Sequence, residues 1–343
     1  MASYKDAGVN IAAASLATSK FKKHVKKTLT KDVLLGVGAF GGAIDVSSLK
    51  KMNSPALVSS IDGVGTKTKI AAAVNKWDTI GKDLVNHCAN DILCSGARPL
   101  FFLDYIASSK LEPEIVESIV KGMSEACVEL GIPLLGGETA EMPGVYAENE
   151  HDVVGCIIGV ADKDEIFNGS KIKKGDVLIG LESNGLHTNG YSLARKILLE
   201  IANYELNVPI KELGCTLGEE LLKVHRSYSA EVLALRKKYK INGIAHITGG
   251  GLVDNVPRAL PKGLGAKILK SKIKVPKIFR LIKANGKVDD VEMFKVFNMG
   301  IGLVLVASSD DAGNIIQELA NKHSLNASII GEVVSGKGVQ LVE

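Results

Sequence analysis

Short apolar runs alternate along this chain with longer amphipathic stretches, and this alternation constrains the fold more than any other feature of the sequence. It is typical of α/β proteins, in which helices pack against a sheet. The predicted strands are 57–62, 100–106, 153–160, 177–181, 297–307 and 327–334. The sequence therefore predicts the α/β class.

The clearest helices are predicted at 112–130, 227–239 and 310–323. The first has Pro113 near its start and Gly131 just past its end, the usual positions of these residue types at helix termini. The third follows a polar cluster that begins at Ser308, and side chains of this kind cap the first turn of a helix. These capping signals define the helix ends better than apolar periodicity does.

The length of 343 residues favours two domains. A polar, lysine-rich segment at 162–175 is the predicted linker, which gives domains at 1–165 and 170–343. A formal net charge of +4 is too small to indicate a nucleic-acid-binding surface. No apolar run approaches the length of a membrane span. We therefore expect a cytoplasmic protein that binds neither nucleic acid nor membrane.

A glycine-rich loop follows the first predicted strand: Asp62 ends the strand, and Gly63, Gly65, Thr66 and Lys67 come next. Backbone N–H groups and the lysine suit phosphate oxygens, and the aspartate suits a Mg²⁺ ion that bridges those oxygens. The loop differs from a P-loop, because a threonine separates the second glycine from the lysine. An ordinary strand-to-helix turn with a capping threonine is the alternative.

Asn90 and Asp91 lie in an apolar helical stretch at 84–93, where an acid is unusual unless it has a partner. Paired with Asp62, Asp91 gives a site with two carboxylates for Mg²⁺. A helix cap or a surface turn is the alternative interpretation.

Gly136, Gly137 and Glu138 follow a short apolar run, so a carboxylate again stands at the end of a predicted strand. Glu138 is the predicted ligand of a metal or of substrate. Glu141, three residues on, is interpreted as the start of a helix.

His187 and Asn189 lie in a loop, 183–190, that follows another predicted strand. A lone histidine is usually structural, but glycines, asparagines and hydroxyls surround this one, which is an unusual setting for a core residue. Gly300, inside the predicted strand 297–307, indicates close approach of another backbone.

A further loop places Gly249, Gly250 and Gly251 between Thr248 and a predicted helix start. Three successive glycines in this position form an anion-binding loop, and Arg258 can donate two hydrogen bonds to a phosphate. The loops together predict phosphoryl chemistry with Mg²⁺ on a small phosphorylated substrate, without naming that substrate.

Gly36, Gly38 and Gly41 fit the glycine pattern of a dinucleotide site, with Asp62 roughly twenty residues further on. That site needs a helix directly after the glycines, and 42–55 is short, weakly periodic and ends on a proline. A flap that folds over a phosphate is the preferred interpretation.

Seven segments together resemble the phosphoribosylformylglycinamidine cyclo-ligase family, also called aminoimidazole ribonucleotide (AIR) synthetases. They are YKDAGV at 4–9, DGVGTK at 62–67, ND at 90–91, PLFFLDY at 99–105, GGETAEMP at 136–143, HTNGYS at 187–192 and HITGGG at 246–251. Single loops are shared with relatives such as thiamine-phosphate kinase, whereas GGETAEMP combined with FFLDY is far more specific. The resemblance spans essentially the whole chain.

This resemblance implies a two-domain α/β subunit of the α+β type. It also implies a homodimer whose N-terminal domains join their strands into a β-barrel, with ATP bound nearby. The implied reaction closes the imidazole ring of formylglycinamidine ribonucleotide: ATP phosphorylates the formyl amide oxygen, the amidine nitrogen attacks, and phosphate leaves.

The resemblance also implies roles for the residues picked out above. Asp62, Asp91 and Glu138 would hold Mg²⁺ and nucleotide, with Lys67 on a phosphate and His187 as a proton-transfer residue. The remaining nucleotide contacts would be Gly63, Gly65, Thr66, Asn90, Gly136 and Gly137. The contacts to the substrate and its phosphate would be Asn189, Thr248, Gly249, Gly250, Gly251 and Arg258.

Three other functions compete with ring closure. A small-molecule kinase of the same superfamily would consume ATP without this substrate. A dinucleotide oxidoreductase would use the glycines that begin at Gly36, and a scaffold protein would bind ATP without turnover. The acids Asp62, Asp91 and Glu138 argue against the scaffold, because unpaired buried carboxylates destabilise a fold that does not use them.

Overall fold

The computed structural model describes Tyr4 and residues 7–343, and the chain divides into two compact units. Unit 1 runs to Ile92 and includes Ala97–Asp164, whereas unit 2 comprises Leu93–Gly96 and Glu165–Glu343. Lys5 and Asp6 of the N-terminal motif lie outside the described residues.

Unit 1 is built on a four-stranded sheet with the order β3-β6-β4-β5. Its elements are α1 (Ile11–Val25), β1 (Val33–Leu35), β2 (Ala43–Ile44), β3 (Pro55–Gly63), α2 (Thr68–Val74), α3 (Ile80–Leu93), β4 (Arg98–Ser108), α4 (Pro113–Leu130), β5 (Leu134–Glu141) and β6 (His151–Asp162). β6 is antiparallel to both neighbours, and only β4 and β5 run parallel. The buried ring of Phe102 occupies the space that a side chain at Gly155 would need, so this face of the sheet packs closely.

Unit 2 contains a six-stranded sheet with the order β10-β12-β7-β13-β11-β14. Its elements are β7 (Val177–Glu182), α5 (Tyr191–Arg195), β8 (Pro209–Ile210), β9 (Cys215–Thr216), α6 (Leu217–Leu221), α7 (Ser229–Leu235), β10 (Ile241–His246), α8 (Gly251–Ala259), β11 (Leu264–Leu269), α9 (Lys277–Gly286), α10 (Asp290–Val296), β12 (Ile301–Ala307), α11 (Ser309–His323), β13 (Ala327–Ser335) and β14 (Val339–Val342). Every residue of β10 and β12 is buried, although β10 is an edge strand of the sheet.

Most of the predicted elements are confirmed, including the helices that became α4 and α11. The helix predicted at 227–239 is shorter, because α7 spans only Ser229–Leu235. The strand predicted at 297–307 begins only at Ile301. Met299 and Gly300 adopt left-handed backbone angles (φ 51° and 99°), so they form a turn rather than part of the strand.

The glycines between residues 36 and 41 do not open a helix. β1 and β2 pair with each other in an antiparallel hairpin, and the short helical turn that comes next begins only at Ser47. A dinucleotide site needs the amide groups of a helix N-terminus directly after its glycines, so that alternative is wrong. The flap interpretation of this loop stays a prediction.

Among the described residues, no helix combines the length and hydropathy that crossing a membrane would require.

Candidate active site

The end of β3 and one face of α3 bring two predicted magnesium ligands around a histidine. Asp62 Oδ2 lies 2.8 Å from His87 Nε2, and Asp91 Oδ2 lies 4.0 Å from the same nitrogen. Ser60 on β3 donates a 3.0 Å hydrogen bond to Asp91. Both carboxylates are partly exposed, at 39% for Asp62 and 31% for Asp91.

The histidine and the carboxylates stabilise one another's charged forms. Burial alone would lower the pKa of His87, but its hydrogen bond with Asp62 and the negative charges of Asp62, Asp91 and Asp83 raise it above its usual value. Burial likewise opposes ionisation of Asp62, yet His87 holds the pKa of this carboxyl below its usual value. Sequence reasoning missed His87, although its position four residues before Asp91 places both on one helix face.

The predicted strand that contains Asp62 is present, and so are the glycine loop and the helix that follow it. Gly63 donates its backbone N–H to Asp62 Oδ1 (2.7 Å), and Gly65 is left-handed with φ 66°. Thr68 caps the turn by donating its hydroxyl to the Gly65 carbonyl oxygen (2.9 Å). The N–H groups of Gly63 and Val64 are already bonded, the second to the Val153 carbonyl (3.0 Å), so phosphate contacts of this loop stay a prediction.

Lys67 is in a different place from the one predicted. Its side chain is fully buried, and its Nζ lies 2.8 Å from Oδ2 of Asp83, which is also fully buried. Burial lowers the pKa of Lys67, and Asp83 opposes that shift. Because protein encloses the ammonium group and Asp83 neutralises it, direct contact with a ligand phosphate conflicts with this position. Asn90 is fully buried too.

The third predicted magnesium ligand is far from the first two. Residues Asp62, Gly155, Asp104 and Gly137 form one row across the four strands, with Glu138 next to Gly137 on β5. β3 and β5 are the two edges of the sheet, so three strand spacings separate Asp62 from Glu138, about 14 Å. Within one chain, Glu138 is therefore too far from Asp62 to share an ion with it, and its assignment to Mg²⁺ or nucleotide stays a prediction.

The strand that carries Glu138 needs its glycines. A Cβ atom at Gly137 would lie 2.2 Å from Oδ1 of Asp104, and burial raises the pKa of Asp104 to about 7. Glu141 ends β5 instead of starting a helix, and it accepts backbone N–H groups of Asn10 and of Leu111 (2.8 Å). Glu141 therefore ties three segments of unit 1 together.

In unit 2, His187 is held in a strained loop after β7. It is buried and left-handed, with φ 63°, and its Nε2 accepts the backbone N–H of Asn184 (3.1 Å). The buried Asn298 supports the start of the loop by accepting the hydroxyl of Ser183 (3.0 Å) and donating to the Gly185 carbonyl (2.8 Å). The turn before β12 therefore fixes the shape of the His187 loop.

Two more buried histidines join His187 in a cluster, and sequence reasoning assigned no role to His225. The rings of His187 and His225 stack with centroids 4.1 Å apart and planes at 21°. His225 and His246 share a hydrogen bond between their Nε2 atoms (3.1 Å). One ring nitrogen from each lies within 4.8 Å of the others. Nearly parallel rings do not point at one common ion, however, so this stack is not a preformed metal site.

Five of the six predicted substrate residues of unit 2 lie near the N-terminus of α8, whereas Arg258 lies in its last turn. Gly250 and Gly251 are left-handed (φ 98° and 59°), and a side chain at Gly249 would lie 3.3 Å from Oδ1 of Asn189. Asn255 stabilises the loop by donating to the carbonyls of Thr248, Gly249 and Gly251 at 3.3, 3.1 and 2.9 Å. Arg258 reaches back to Asn255 Oδ1 (3.3 Å). Gly249 is exposed, whereas Gly251 is buried and donates its N–H to the Thr248 carbonyl (3.0 Å), so phosphate binding at this helix start stays a prediction.

Comparison with known families places both units in one class. Residues 44–161 match the family described as AIR synthase related protein, N-terminal domain, and residues 173–343 match its C-terminal domain. The chain is 51% identical to a phosphoribosylformylglycinamidine cyclo-ligase of Acetivibrio thermocellus, over 98% of each chain. It is 50% identical to the enzyme of that name from Geobacillus thermodenitrificans, over 98% of this chain and 96% of the other. The chain belongs to the phosphoribosylformylglycinamidine cyclo-ligase family.

Solved structures of lower identity share the fold. Thiamine-monophosphate kinase from Stenotrophomonas maltophilia superposes with a TM-score of 0.68 at 16% identity, covering 95% of both chains. The hydrogenase maturation protein HypE from E. coli superposes with a TM-score of 0.69 at 19% identity, covering 97% of this chain and 93% of that one. A structure of HypE in complex with ATP has a TM-score of 0.69 at 18% identity.

Proposed function

We propose that the chain catalyses ATP-dependent ring closure of formylglycinamidine ribonucleotide to 5-aminoimidazole ribonucleotide, with release of ADP and phosphate. The observation that carries this proposal is the identity of about half of all positions with enzymes named for this reaction, over nearly the full length of both chains. The grouping of Asn189 with the glycine loop at the start of α8 supports it, because the substrate carries a phosphate.

In this proposal, unit 1 binds the nucleotide and its metal. Asp62 and Asp91 are partly exposed oxygen ligands, the type that Mg²⁺ prefers, and they fit an ion that also contacts nucleotide phosphates. When bound, the ion would neutralise charge on the transferred phosphoryl group. The loop amides at Gly65 and Thr66 would contact phosphate oxygens, whereas the Gly63 N–H donates to Asp62. Lys67 would support the loop through Asp83.

In unit 2, the substrate phosphate would bind at Thr248–Gly251, with Asn189 and Arg258 beside it. His187 would then meet the reacting amide, because it lies two residues from Asn189. Phosphorylation turns the amide oxygen into a leaving group, so the protein contributes mainly by orienting the amidine nitrogen and stabilising charge.

The test is ADP release by the purified protein with ATP and Mg²⁺, with and without the ribonucleotide, while aminoimidazole is measured colorimetrically. We expect equal amounts of ADP and aminoimidazole, both dependent on the ribonucleotide. ADP release that ignores the ribonucleotide would favour a small-molecule kinase, and no ADP release would favour a protein that only binds ATP.

The variant Asp62→Asn tests the metal assignment. Replacing one carboxylate oxygen by an amide weakens a Mg²⁺ ligand, so we expect turnover to fall by about a hundredfold or more. Asp164→Asn, at an exposed carboxylate of unit 1, is the control and should retain turnover. Full turnover of Asp62→Asn would contradict the assignment.

We also propose a homodimer formed through the outer face of the unit 1 sheet. Leu57 and Ile61 on β3 are 69% and 70% exposed, and Ile61 lies in register with Cys156 on β6, which is in turn in register with Leu103 on β4. An aliphatic row on an edge strand favours burial against a second copy. Joining two such sheets is consistent with the barrel that the family resemblance implies.

A further inference from the structure

His225 occupies the centre of the histidine cluster and contacts both the His187 loop and the end of β10. One face of its ring stacks on His187. Its Nδ1 lies 3.2 Å from the hydroxyl of Thr188, and its Nε2 lies 3.1 Å from His246. His225 itself is fully buried. A buried side chain with two hydrogen bonds and a stacked face has little freedom to move.

The hydrogen bonds determine which nitrogen of His187 carries a proton. A backbone N–H can only donate, so the bond from Asn184 requires a lone pair on Nε2 of His187. In the neutral ring the proton then lies on Nδ1. His187 in this state is a hydrogen-bond donor. It cannot serve as a general base through Nε2 without losing the hydrogen bond from Asn184.

The neighbours of His225 favour the same neutral state. The His225–His246 bond needs one donor and one acceptor, so the two rings cannot both carry a proton on the facing Nε2 atoms. A charge on His187 would be buried, with its ring centroid 4.1 Å from that of His225, and burial disfavours the charged form of an imidazole.

We propose that His225 is a positioning residue for ring closure: its stacked ring holds His187 in the orientation in which Nε2 accepts the Asn184 N–H, so that the neutral His187 ring carries its proton on Nδ1. His187 then donates a hydrogen bond to the oxygen on which negative charge develops, and does not remove the amidine proton. This inference rests on the proposed function for its consequence, but the ring state of His187 can be measured without substrate.

The first test is a two-bond ¹H–¹⁵N correlation spectrum of the ligand-free protein labelled with ¹⁵N-histidine at neutral pH. The His187 signals, identified by their loss in His187→Asn, should show a protonated Nδ1 and a bare Nε2. A charged ring, or a ring protonated on Nε2, would overturn the proposal whether or not the protein closes the imidazole ring.

The second test compares two variants at His225. His225→Leu removes both hydrogen bonds, and we expect kcat to fall by about a hundredfold, as for a misplaced catalytic group, with the KM for ATP unchanged. His225→Gln restores an amide near the Nε2 position and should recover part of kcat. In the leucine variant the His187 signals should shift towards a mixture of tautomers.

His323→Gln, at the end of α11 and outside the cluster, is the matched control and should retain wild-type kcat. Unchanged kcat in His225→Leu would overturn the proposal. So would equal loss in both His225 variants with an unchanged His187 spectrum, because that result indicates a role in folding alone.

Discussion

The ion pair between Lys67 and Asp83 is the clearest case in which a residue's environment decides its role. Both side chains are fully buried and their charged atoms are 2.8 Å apart. Removing one partner of a buried pair leaves an uncompensated charge, whereas replacing both by apolar residues is often tolerated. The pair therefore holds the start of α2 against α3.

We expect Lys67→Met to lower the free energy of unfolding by about 3–5 kcal/mol. The double variant Lys67→Met/Asp83→Leu should recover much of that loss, because no charge then stays buried. Urea denaturation of Lys67→Met, Asp83→Leu and the double variant measures the coupling free energy between the two side chains. Lys121→Met, at an exposed pair on α4, is the control and should cost about 0.5 kcal/mol. If Lys67→Met and Lys121→Met lowered the free energy of unfolding by the same amount, the buried-pair interpretation would be wrong.

Asp104 should make stability depend on pH. Burial raises its pKa to about 7 in the folded protein, against 3.8 when unperturbed. Between these values the folded state binds more protons than the unfolded state, so the contribution of Asp104 is greatest below about pH 4 and is lost as pH rises to about 7. Asp104→Asn removes this titration.

We expect Asp104→Asn to be more stable than the wild type at pH 8, by roughly 1–4 kcal/mol, with the difference shrinking towards pH 4. Chemical denaturation at several pH values measures it, and comparing two proteins cancels the titration of all other groups. If the free energies of unfolding of the two proteins changed in parallel with pH, Asp104 would ionise with its ordinary pKa.

At the scale of elements, local signals predicted what forms but not always where it ends. The helix α4 was predictable because proline and glycine mark its two ends. The strand β5 extends through Gly136 and Gly137 because β4 supplies parallel partners, which no local pattern reveals. The strand β10 contains Asn242 and Gly243, residue types that are rare in strands, but pairing with β12 and the hydrogen bond from Asn242 to Asp176 (2.9 Å) override that preference.

The contact between β12 and the His187 loop depends on a single glycine. A Cβ atom at Gly302 would lie 2.1 Å from the hydroxyl oxygen of Tyr228 and 2.5 Å from Cε1 of His187. Both side chains are buried, so neither can move away freely.

We therefore expect Gly302→Ala to destabilise the protein by about 1–3 kcal/mol and to lower kcat by displacing His187. The control is Gly313→Ala in α11, where a Cβ atom meets nothing within 4 Å and alanine should stabilise the helix by roughly 0.5–1 kcal/mol. Thermal unfolding and turnover of both variants test this. Wild-type turnover in Gly302→Ala would contradict the proposed contact of His187 with the reacting amide.

At the scale of the whole molecule, the exposed aliphatic face of the unit 1 sheet predicts self-association. We expect sedimentation velocity to give twice the chain mass for the wild type. Ile61→Glu should give the chain mass with little change in monomer stability, because position 61 is 70% exposed. Val291→Glu, at a comparably exposed position in α10, should leave the dimer intact. A wild type that sediments with the mass of one chain would contradict dimer formation through this face of the sheet.

By itself, the sequence determined the order of the elements and the glycine-rich loops that follow the strands. These features depend on short-range causes: apolar periodicity, capping side chains and the backbone freedom of glycine. The loop after Asp62 and the loop that ends at Gly251 were predictable for this reason. The family resemblance rests on the same local segments, which is why it identified the class of chemistry.

Only the tertiary structure decided which of these residues meet. Sheet order puts Glu138 at the opposite edge from Asp62, a helix face brings His87 to Asp62, and the core encloses Lys67. His225 joins the His187 loop to the end of β10, which lies far away in sequence. Distances across a sheet and the burial of a charge depend on packing between remote segments, and one local pattern is compatible with several such arrangements.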